Sequence, residues 1–233
     1  MRAAVLQFPG SNGDYDALMA LRSFPEISAQ LIWHQESSLD TYDLILLPGG
    51  FSYGDYLRSG AIARFSPIMQ AVRRAAEEGK WILGICNGFQ ILCEAGLLPG
   101  VLLRNRHLLF CAGEQIVRVE TSNTPFTKTI SPKSLLRLPI AHGEGCYFAS
   151  KETLKELLTN DQVLLRYATA QGMTTSEANP NGSLENIAGI CNKERNIFGL
   201  MPHPERAFEE LLGSRDGRKI IESLLASLHG LIQ

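Results

Sequence analysis

Residues 81–90 read Trp-Ile-Leu-Gly-Ile-Cys-Asn-Gly-Phe-Gln and place a cysteine between two glycines, after a short apolar run and before a stretch of helical period. The apolar run predicts a buried strand, and the stretch that follows, which stops at Gly96, predicts a helix. A nucleophile on so tight a turn needs Gly84 and Gly88 beside it, because larger side chains would collide with neighbouring elements. The free N–H groups of the helix N-terminus favour the thiolate form of Cys86. The segment therefore predicts an α/β fold that presents a nucleophile at the end of a strand.

The chain on both sides of residues 81–90 alternates short aliphatic runs with stretches of helical period, as in a parallel sheet covered by helices. The runs that read as strands are 3–8, 29–33, 42–47, 81–85, 163–167, 187–191 and 197–201. The middle of the chain, from about 101 to 148, alternates apolar and polar residues, which predicts antiparallel strands. We expect an open, doubly wound, mainly parallel α/β sheet of flavodoxin-like type, with helices on both faces and some antiparallel strands, as one domain over residues 1–233.

Two helix starts carry capping signals. Ser66, followed by Pro67 and an apolar face that stops at Gly79, predicts a helix between the third and fourth strands. Ser150 predicts the cap of a short helix that ends near Leu158.

The composition argues for a globular chain without a nucleic-acid or membrane role. Its 233 residues are 45% hydrophobic and have a net charge of −2, which provides no field to attract phosphate backbones or anionic lipid. No apolar run approaches the ~20 residues of a membrane span, and the apolar segment 3–8 ends at Pro9 before it reaches the length of a secretion signal. The five cysteines form no C-x-x-C pair suited to zinc. We expect a cytoplasmic protein with no metal site.

A second glycine pair, Gly49 and Gly50, ends the predicted strand 42–47. Ligands of open parallel sheets bind at the carboxyl ends of the strands, so these glycines should lie near Cys86. Their main-chain N–H groups could approach a bound carbonyl and, with the N–H of Asn87, stabilise an oxyanion. The alternative is a tight strand exit of the kind common to α/β proteins.

Residues 51–60 follow as a long loop, Phe-Ser-Tyr-Gly-Asp-Tyr-Leu-Arg-Ser-Gly, with more aromatic and charged side chains than a simple connection needs. We interpret it as a binding loop or an interface, with Phe51, Tyr53 and Arg58 as candidate contacts to a partner protein.

A thiolate nucleophile also needs a base, and the base needs a group that orients it. His203 lies between two prolines at the end of a predicted strand, with Glu205 two residues on. His142 has the same spacing to Glu144 in a glycine-rich loop. Spacing alone does not choose between the two histidines.

Taken together, five segments resemble a known family. They are 48–58, 84–90, 141–145, 179–183 (Asn-Pro-Asn-Gly-Ser) and 201–206 (Met-Pro-His-Pro-Glu-Arg). In this order and spacing they resemble class I (triad) glutamine amidotransferases and, more narrowly, the PurQ-type glutaminase subunits of phosphoribosylformylglycinamidine synthase. One departure is Gly13, where the family often has a cysteine to which no catalytic role is attached.

The resemblance implies roles for individual residues. His203 would be the base and Glu205 the group that orients it, with Cys86 as nucleophile. Gly50 and Asn87 would form the oxyanion hole. The residues implied in glutamine binding are Gln90, Gly49, Gly143 and Glu144, with the loop around Gly143 meeting the amino-acid end of glutamine through its backbone.

The resemblance also implies the reaction. The chain would hydrolyse L-glutamine through a cysteine thioester and deliver ammonia to a synthetase subunit, which converts formylglycinamide ribonucleotide to formylglycinamidine ribonucleotide in purine biosynthesis. A small accessory subunit would join the complex. ATP and Mg²⁺ would be used by the synthetase, and this chain, which has no Gly-x-x-x-x-Gly-Lys-Ser/Thr loop, would need no cofactor.

Three alternatives stay open at this point. The chain could be the glutaminase of a different ammonia-using synthetase, a non-catalytic binding subunit on the same scaffold, or a cysteine peptidase-like hydrolase.

Overall fold

A computed structural model describes residues 1–230 of the chain; residues 231–233, which the single-domain prediction includes, lie outside the described part. The helices are α1 (Asp14–Arg22), α2 (Ile68–Glu77), α3 (Asn87–Glu94), α4 (Lys151–Thr159) and α5 (Arg218–Gly230). The strands are β1 (Arg2–Gln7), β2 (Ser28–Trp33), β3 (Leu44–Leu47), β4 (Trp81–Ile85), β5 (Val101–Leu103), β6 (Cys111–Val119), β7 (Leu135–His142), β8 (Cys146–Phe148), β9 (Val163–Tyr167), β10 (Ile187–Cys191) and β11 (Ile197–Leu200).

Nine strands form one sheet in the order β2-β1-β3-β4-β11-β10-β9-β6-β7, with helices on both faces. The first five strands in this order are parallel to one another, and the remaining pairs are antiparallel. The predicted fold class is confirmed, and β6 and β7 confirm the antiparallel strands predicted for the middle of the chain. The short strands β5 and β8 pair with each other outside the main sheet.

The register of the central strands fixes where the functional loops begin. Leu47 of β3 lies opposite Gly84 of β4, and Ile85 of β4 lies opposite Leu200 of β11. Because these three strands are parallel, their carboxyl ends meet at one edge of the sheet. The chain segments that leave β3, β4 and β11 therefore emerge side by side, although up to about 150 residues separate them in the sequence.

The core lies between this sheet and the helices that cover it. Every residue of β3, β4, β10 and β11 is buried, which explains their continuous aliphatic character. None of the helices described within residues 1–230 has the length and apolar composition of a membrane span.

One predicted cap is wrong and one is confirmed. Helix α2 begins at Ile68, and its start has no side-chain cap, because the hydroxyl of Ser66 lies 2.7 Å from that of Tyr53 instead. The hydroxyl of Ser150 does cap α4, accepting a hydrogen bond from the N–H of Thr153 at 3.1 Å.

Helix α1 was not predicted from the sequence. It is short, it has no side-chain cap, and two of its apolar residues, Tyr15 and Met19, are each 63% exposed. These exposed residues blur the periodic apolar face by which a helix is recognised.

Candidate active site

Cys86 lies on the tight turn between β4 and α3. Its backbone has φ 50° and ψ −103°, in a region that non-glycine residues rarely occupy. A Cβ on Gly84 would lie 2.8 Å from the carbonyl carbon of Gly88, and a Cβ on Gly88 would collide with the carbonyl oxygen of Leu47. Both glycines are therefore required sterically, for the reason the sequence suggested, and the buried Cys86 sits at the N-terminus of α3.

His203 follows β11 and reaches the same edge of the sheet. Its Nδ1 lies 2.6 Å from Oε1 of Glu205, and both side chains are buried. Its backbone N–H donates to the carbonyl oxygen of Pro139 at 2.8 Å, which ties the residue to β7. A Cβ on Gly49 would lie 2.8 Å from Cε1 of His203 and 3.7 Å from Cβ of Cys86. Glycine at position 49 is what allows the imidazole and the cysteine to approach each other.

The electrostatics of His203 favour its protonated form. Burial alone would lower its pKa, but the Glu205 carboxylate and the Cys86 side chain raise the pKa of His203 to about 10. An imidazolium held between a carboxylate and a sulfur stabilises the thiolate that a cysteine nucleophile needs. The Nε2 atom of His203 has no hydrogen-bond partner among the described residues and is the atom left for proton transfer.

His142 has a different environment. Burial lowers its pKa to about 4, so the imidazole is neutral. The carboxylate of Glu144 turns away from it, accepting a hydrogen bond from the N–H of Ser59 at 3.1 Å and lying 3.8 Å from Nε of Arg104. Of the two candidate bases, only His203 has the carboxylate that orients it, and the geometry favours His203.

Two backbone N–H groups next to Cys86 are free. Gly50 has φ 146° and is held close to residues 10–12, where a Cβ would lie 2.7 Å from Cα of Ser11. The carbonyl oxygen of Gly49 accepts the N–H groups of Asn12 and Gly13, which fixes the turn. Within residues 1–230 the N–H groups of Gly50 and Asn87 donate no hydrogen bond. Their freedom agrees with the predicted oxyanion hole.

Gln90 links helix α3 to the loop 142–145. Its Nε2 donates to the carbonyl oxygen of Glu144 at 2.6 Å, and its Oε1 accepts from Nδ2 of Asn87 at 2.9 Å. Oδ1 of Asn87 in turn accepts the N–H of Ser52 at 3.1 Å. The structure thus brings Gln90, Glu144 and Asn87 together as predicted, but both ends of the Gln90 amide are engaged by the protein.

Asp55 is a site neighbour that the sequence reasoning missed. Nδ2 of Asn87 lies 3.4 Å from its Oδ1, and burial raises the pKa of Asp55, with the negative charge of Glu144 acting in the same direction. From the sequence, we interpreted residues 51–60 as a binding loop or an interface and assigned no role to Asp55. No local signal separates this aspartate from the other polar residues of the loop.

The three predicted interface residues differ in their surroundings. Phe51 is exposed, and Arg58 forms a two-point ion pair with Glu94 at the end of α3, with N–O distances of 2.6 and 2.7 Å. Tyr53 is half-buried and its hydroxyl turns inward to His34 and Ser66, at 3.0 and 2.7 Å. Only Phe51 and Arg58 therefore face outward, and the more exposed apolar side chains of the same loop are Tyr56 and Leu57.

Comparison with known proteins agrees with this geometry. Residues 1–222 match the family model of the CobB/CobQ-like glutamine amidotransferase domain. Two relatives, from Thermomicrobium roseum and Salinibacter ruber, are each named phosphoribosylformylglycinamidine synthase subunit PurQ. The first is 58% identical and covers 97% of this chain and 96% of its own; the second is 56% identical and covers 96% and 95%.

Two solved structures extend the comparison. A chain of the PurLQS structure from Thermotoga maritima superposes with a TM-score of 0.87 at 45% identity, covering 97% of this chain and 98% of its own. The glutaminase domain of CTPS from Trypanosoma brucei, 11% identical with a TM-score of 0.60 over 97% of this chain and 94% of its own, shares the fold. The chain therefore belongs to the CobB/CobQ-like glutamine amidotransferase family, among the PurQ subunits of phosphoribosylformylglycinamidine synthase.

Proposed function

We propose that this chain is the glutaminase subunit of phosphoribosylformylglycinamidine synthase: it hydrolyses L-glutamine to glutamate and ammonia and passes the ammonia to an ATP-dependent synthetase. The synthetase converts formylglycinamide ribonucleotide to formylglycinamidine ribonucleotide in purine biosynthesis. The observation that carries the proposal is the convergence at one sheet edge of Cys86, the His203–Glu205 pair and two free backbone N–H groups. These are the parts that acyl transfer from an amide requires.

In the first half of the reaction, the Cys86 thiolate attacks the side-chain amide carbon of glutamine. The oxygen of the tetrahedral intermediate takes up negative charge between the N–H groups of Gly50 and Asn87. The carbon–nitrogen bond then breaks, and His203 gives its proton to the leaving ammonia. Glu205 stabilises the imidazolium until that transfer and keeps the ring oriented. A glutamyl thioester remains on the cysteine.

In the second half, His203 is neutral and accepts a proton from a water molecule that attacks the thioester carbon. The same two N–H groups stabilise the second tetrahedral intermediate. Its collapse breaks the carbon–sulfur bond, releases glutamate and restores the thiolate of Cys86 beside the protonated imidazole.

Glutamine would be held by groups from three segments, at Gly49, Gln90 and the loop 142–145. The loop offers the N–H groups of Gly143 and Glu144, which donate no hydrogen bond within the described residues. Two adjacent N–H groups suit the α-carboxylate of the substrate. Because both ends of the Gln90 amide already have protein partners, Gln90 would act by holding Glu144 in place.

The partners we assign are the synthetase and a small accessory subunit, in the cytoplasm. The name PurLQS, given to the structure from Thermotoga maritima, supports an assembly of this kind. We assign ATP and Mg²⁺ to the synthetase and no cofactor or metal to this chain, whose sequence has no phosphate-binding loop. The exposed residues Phe51 and Arg58 are our candidates for contact with the synthetase.

We expect the isolated chain to have little glutaminase activity, which avoids release of unused ammonia.

The test is to replace Cys86 with alanine and assay the complete complex. We expect Cys86→Ala to abolish synthesis from glutamine and to leave synthesis from added ammonium salts intact. Cys93→Ala is the matched control, since this buried cysteine lies on the same helix, two turns away. Loss of both activities in a Cys86→Ala complex that still assembles, or retention of glutamine-dependent synthesis, would refute the proposal.

A second assay separates the proposal from the peptidase alternative. A glutamine-analogue electrophile should label Cys86, and free glutamine should protect it. Labelling that glutamine does not slow would favour a hydrolase of another substrate.

A further inference from the structure

The segment 179–183 has no part in the triad, the oxyanion hole or the elbow. Together with Asn105, it surrounds the loop 142–145 with buried polar side chains: Asn105 and Asn181 are completely buried and Ser183 is 3% exposed. We propose that Asn105 and Asn181 are positioning residues that hold the loop 142–145 in the shape that binds glutamine. This inference rests on the proposed function and adds two residues to it.

Asn105 holds one side of the loop through three hydrogen bonds. Its Nδ2 donates to the carbonyl oxygen of His142 at 2.8 Å, and its Oδ1 accepts the N–H of Gly145 at 2.9 Å. Its own backbone N–H donates to the carbonyl oxygen of Gly143 at 2.9 Å. One residue thus fixes the backbone at both ends of the loop and near its middle.

Asn181 holds the other side. Its Nδ2 donates to the carbonyl oxygen of Gly145 at 2.8 Å. The single hydroxyl proton of Ser183 is shared between that oxygen, at 3.1 Å, and Oδ1 of Asn181, at 2.7 Å. The N–H of Ser183 also donates to Oδ1 of Asn181 at 3.0 Å. Asn179 stabilises the same turn, because its Oδ1 accepts the N–H groups of Gly182 and Ser183 at 2.8 and 3.2 Å.

These contacts leave a defined set of groups for a ligand. The carbonyl oxygens of residues 142, 143 and 145 and the N–H of Gly145 are engaged by Asn105, Asn181 and Ser183, and the carbonyl oxygen of Glu144 by Gln90. In the loop 142–145, the adjacent N–H groups of Gly143 and Glu144 are left, since they donate no hydrogen bond to any of the described residues.

The loop needs such support because two of its four residues are glycines. A glycine-rich loop loses much conformational entropy when it becomes ordered. If the ligand must order the loop on binding, that loss lowers the binding affinity. Hydrogen bonds from buried amides impose it in advance, which is the general route to a preorganised site. The same amides are neutral, as is the His142 imidazole, so they fix the loop without adding charge beside the substrate.

The experiment is a steady-state measurement of KM and kcat for glutamine in the complete complex, with Asn105→Ala and Asn181→Ala. Each variant removes at least one bond to the loop, so we expect KM to rise by about tenfold and kcat to stay within about threefold. Ammonia-dependent synthesis should not change. The matched control is Asn196→Ala: Asn196 is a buried asparagine whose Nδ2 donates to two carbonyl oxygens, those of Ala76 and Lys80, at the opposite ends of the strands.

The control separates positioning from loss of stability. Suppose that Asn196→Ala lowers the melting temperature as much as Asn181→Ala but leaves KM unchanged. The rise of KM in the Asn105 and Asn181 variants is then caused by the changed loop 142–145 and not by lower stability. Equal changes of KM in both variants, or an unchanged KM in the Asn105 and Asn181 variants, would overturn the inference.

A milder variant keeps the test open if the asparagine variants do not assemble. Ser183→Ala removes a hydroxyl that contacts both the carbonyl oxygen of Gly145 and Oδ1 of Asn181, and should raise KM about threefold; an unchanged KM would count against the inference. The Cys86→Ala complex distinguishes failure of the proposed function from failure of this inference. If that complex keeps its glutamine-dependent activity, the proposed function fails. If it loses that activity but the variants of Asn105, Asn181 and Ser183 have the parent KM, only this inference fails.

Discussion

Alanine at position 49 should impair the reaction by displacing His203. The added Cβ would lie 2.8 Å from Cε1 and 3.4 Å from Nδ1 of the imidazole. Carbon atoms in contact prefer separations of about 3.5–4.0 Å, so the ring must move by about 0.7 Å or more. A misplacement of about 1 Å in a reacting group costs on the order of 10²-fold in rate. We therefore expect kcat for glutamine to fall by about 30- to 100-fold. Gly49 does not have a positive φ, so the substitution adds no backbone strain.

The assay compares glutamine-dependent and ammonia-dependent synthesis in the complete complex, and the second activity should not change. Gly13→Ala is the control, because the three atoms nearest to its Cβ would be backbone atoms of Gly49, at 3.3–3.4 Å, and none of them belongs to the imidazole. We expect that control to lose less than about threefold in kcat. A Gly49→Ala complex within threefold of the parent, or equal losses in the two variants, would show that the imidazole does not occupy the position on which the mechanism depends.

Three further predictions concern stability, each measured by urea unfolding. Glu205→Gln should lower the pKa of His203, which, despite burial, the Glu205 carboxylate and the Cys86 side chain raise to about 10 in the folded protein. The raised pKa stabilises the fold fully below pH 6.5, and this stabilisation is lost as pH rises through about 10. The loss of unfolding free energy in the variant should therefore be large at pH 6 and small at about pH 10. A deficit independent of pH would contradict this. Ser150→Ala removes a helix cap and should cost about 1 kcal/mol without changing kcat. Arg58→Ala should cost less than about 1 kcal/mol, because the guanidinium that meets Glu94 is half-exposed; a larger loss would mean that the pair anchors the loop.

The sequence predicted the sheet because its central strands are buried on both faces. Such strands are nearly continuous aliphatic runs, and β3, β4 and β11 were found within a few residues of their bounds. The fold class, the family and the glutaminase function were confirmed. The predicted start of α2 was wrong. A serine before a proline is a local capping signal, but here the hydroxyl of Ser66 is hydrogen-bonded to Tyr53 in the loop 51–60 and does not cap the helix.

The candidate site was predictable to the extent that it depends on local geometry. The elbow cysteine has glycine neighbours for steric reasons that act within one turn, so Gly84 and Gly88 can be recognised from the sequence. The choice between His142 and His203 could not be made from spacing, because both have a carboxylate two residues on. It depends on where the carboxylate points, which is decided by Ser59 and Arg104 elsewhere in the chain.

The asparagines show why residue type alone could not complete the site. Asparagine is common in turns because its side chain bonds its own neighbouring backbone, and Asn179 does so, accepting the N–H groups of Gly182 and Ser183. Asn181, two residues on, also accepts the N–H of Ser183, but its Nδ2 donates to the carbonyl oxygen of Gly145, 36 residues away in the chain. Both lie next to Pro180, so both carry the same turn signal in the sequence. Only the fold, which lays the segment 179–183 against the end of β7, shows that Asn181 also holds the loop beside the nucleophile.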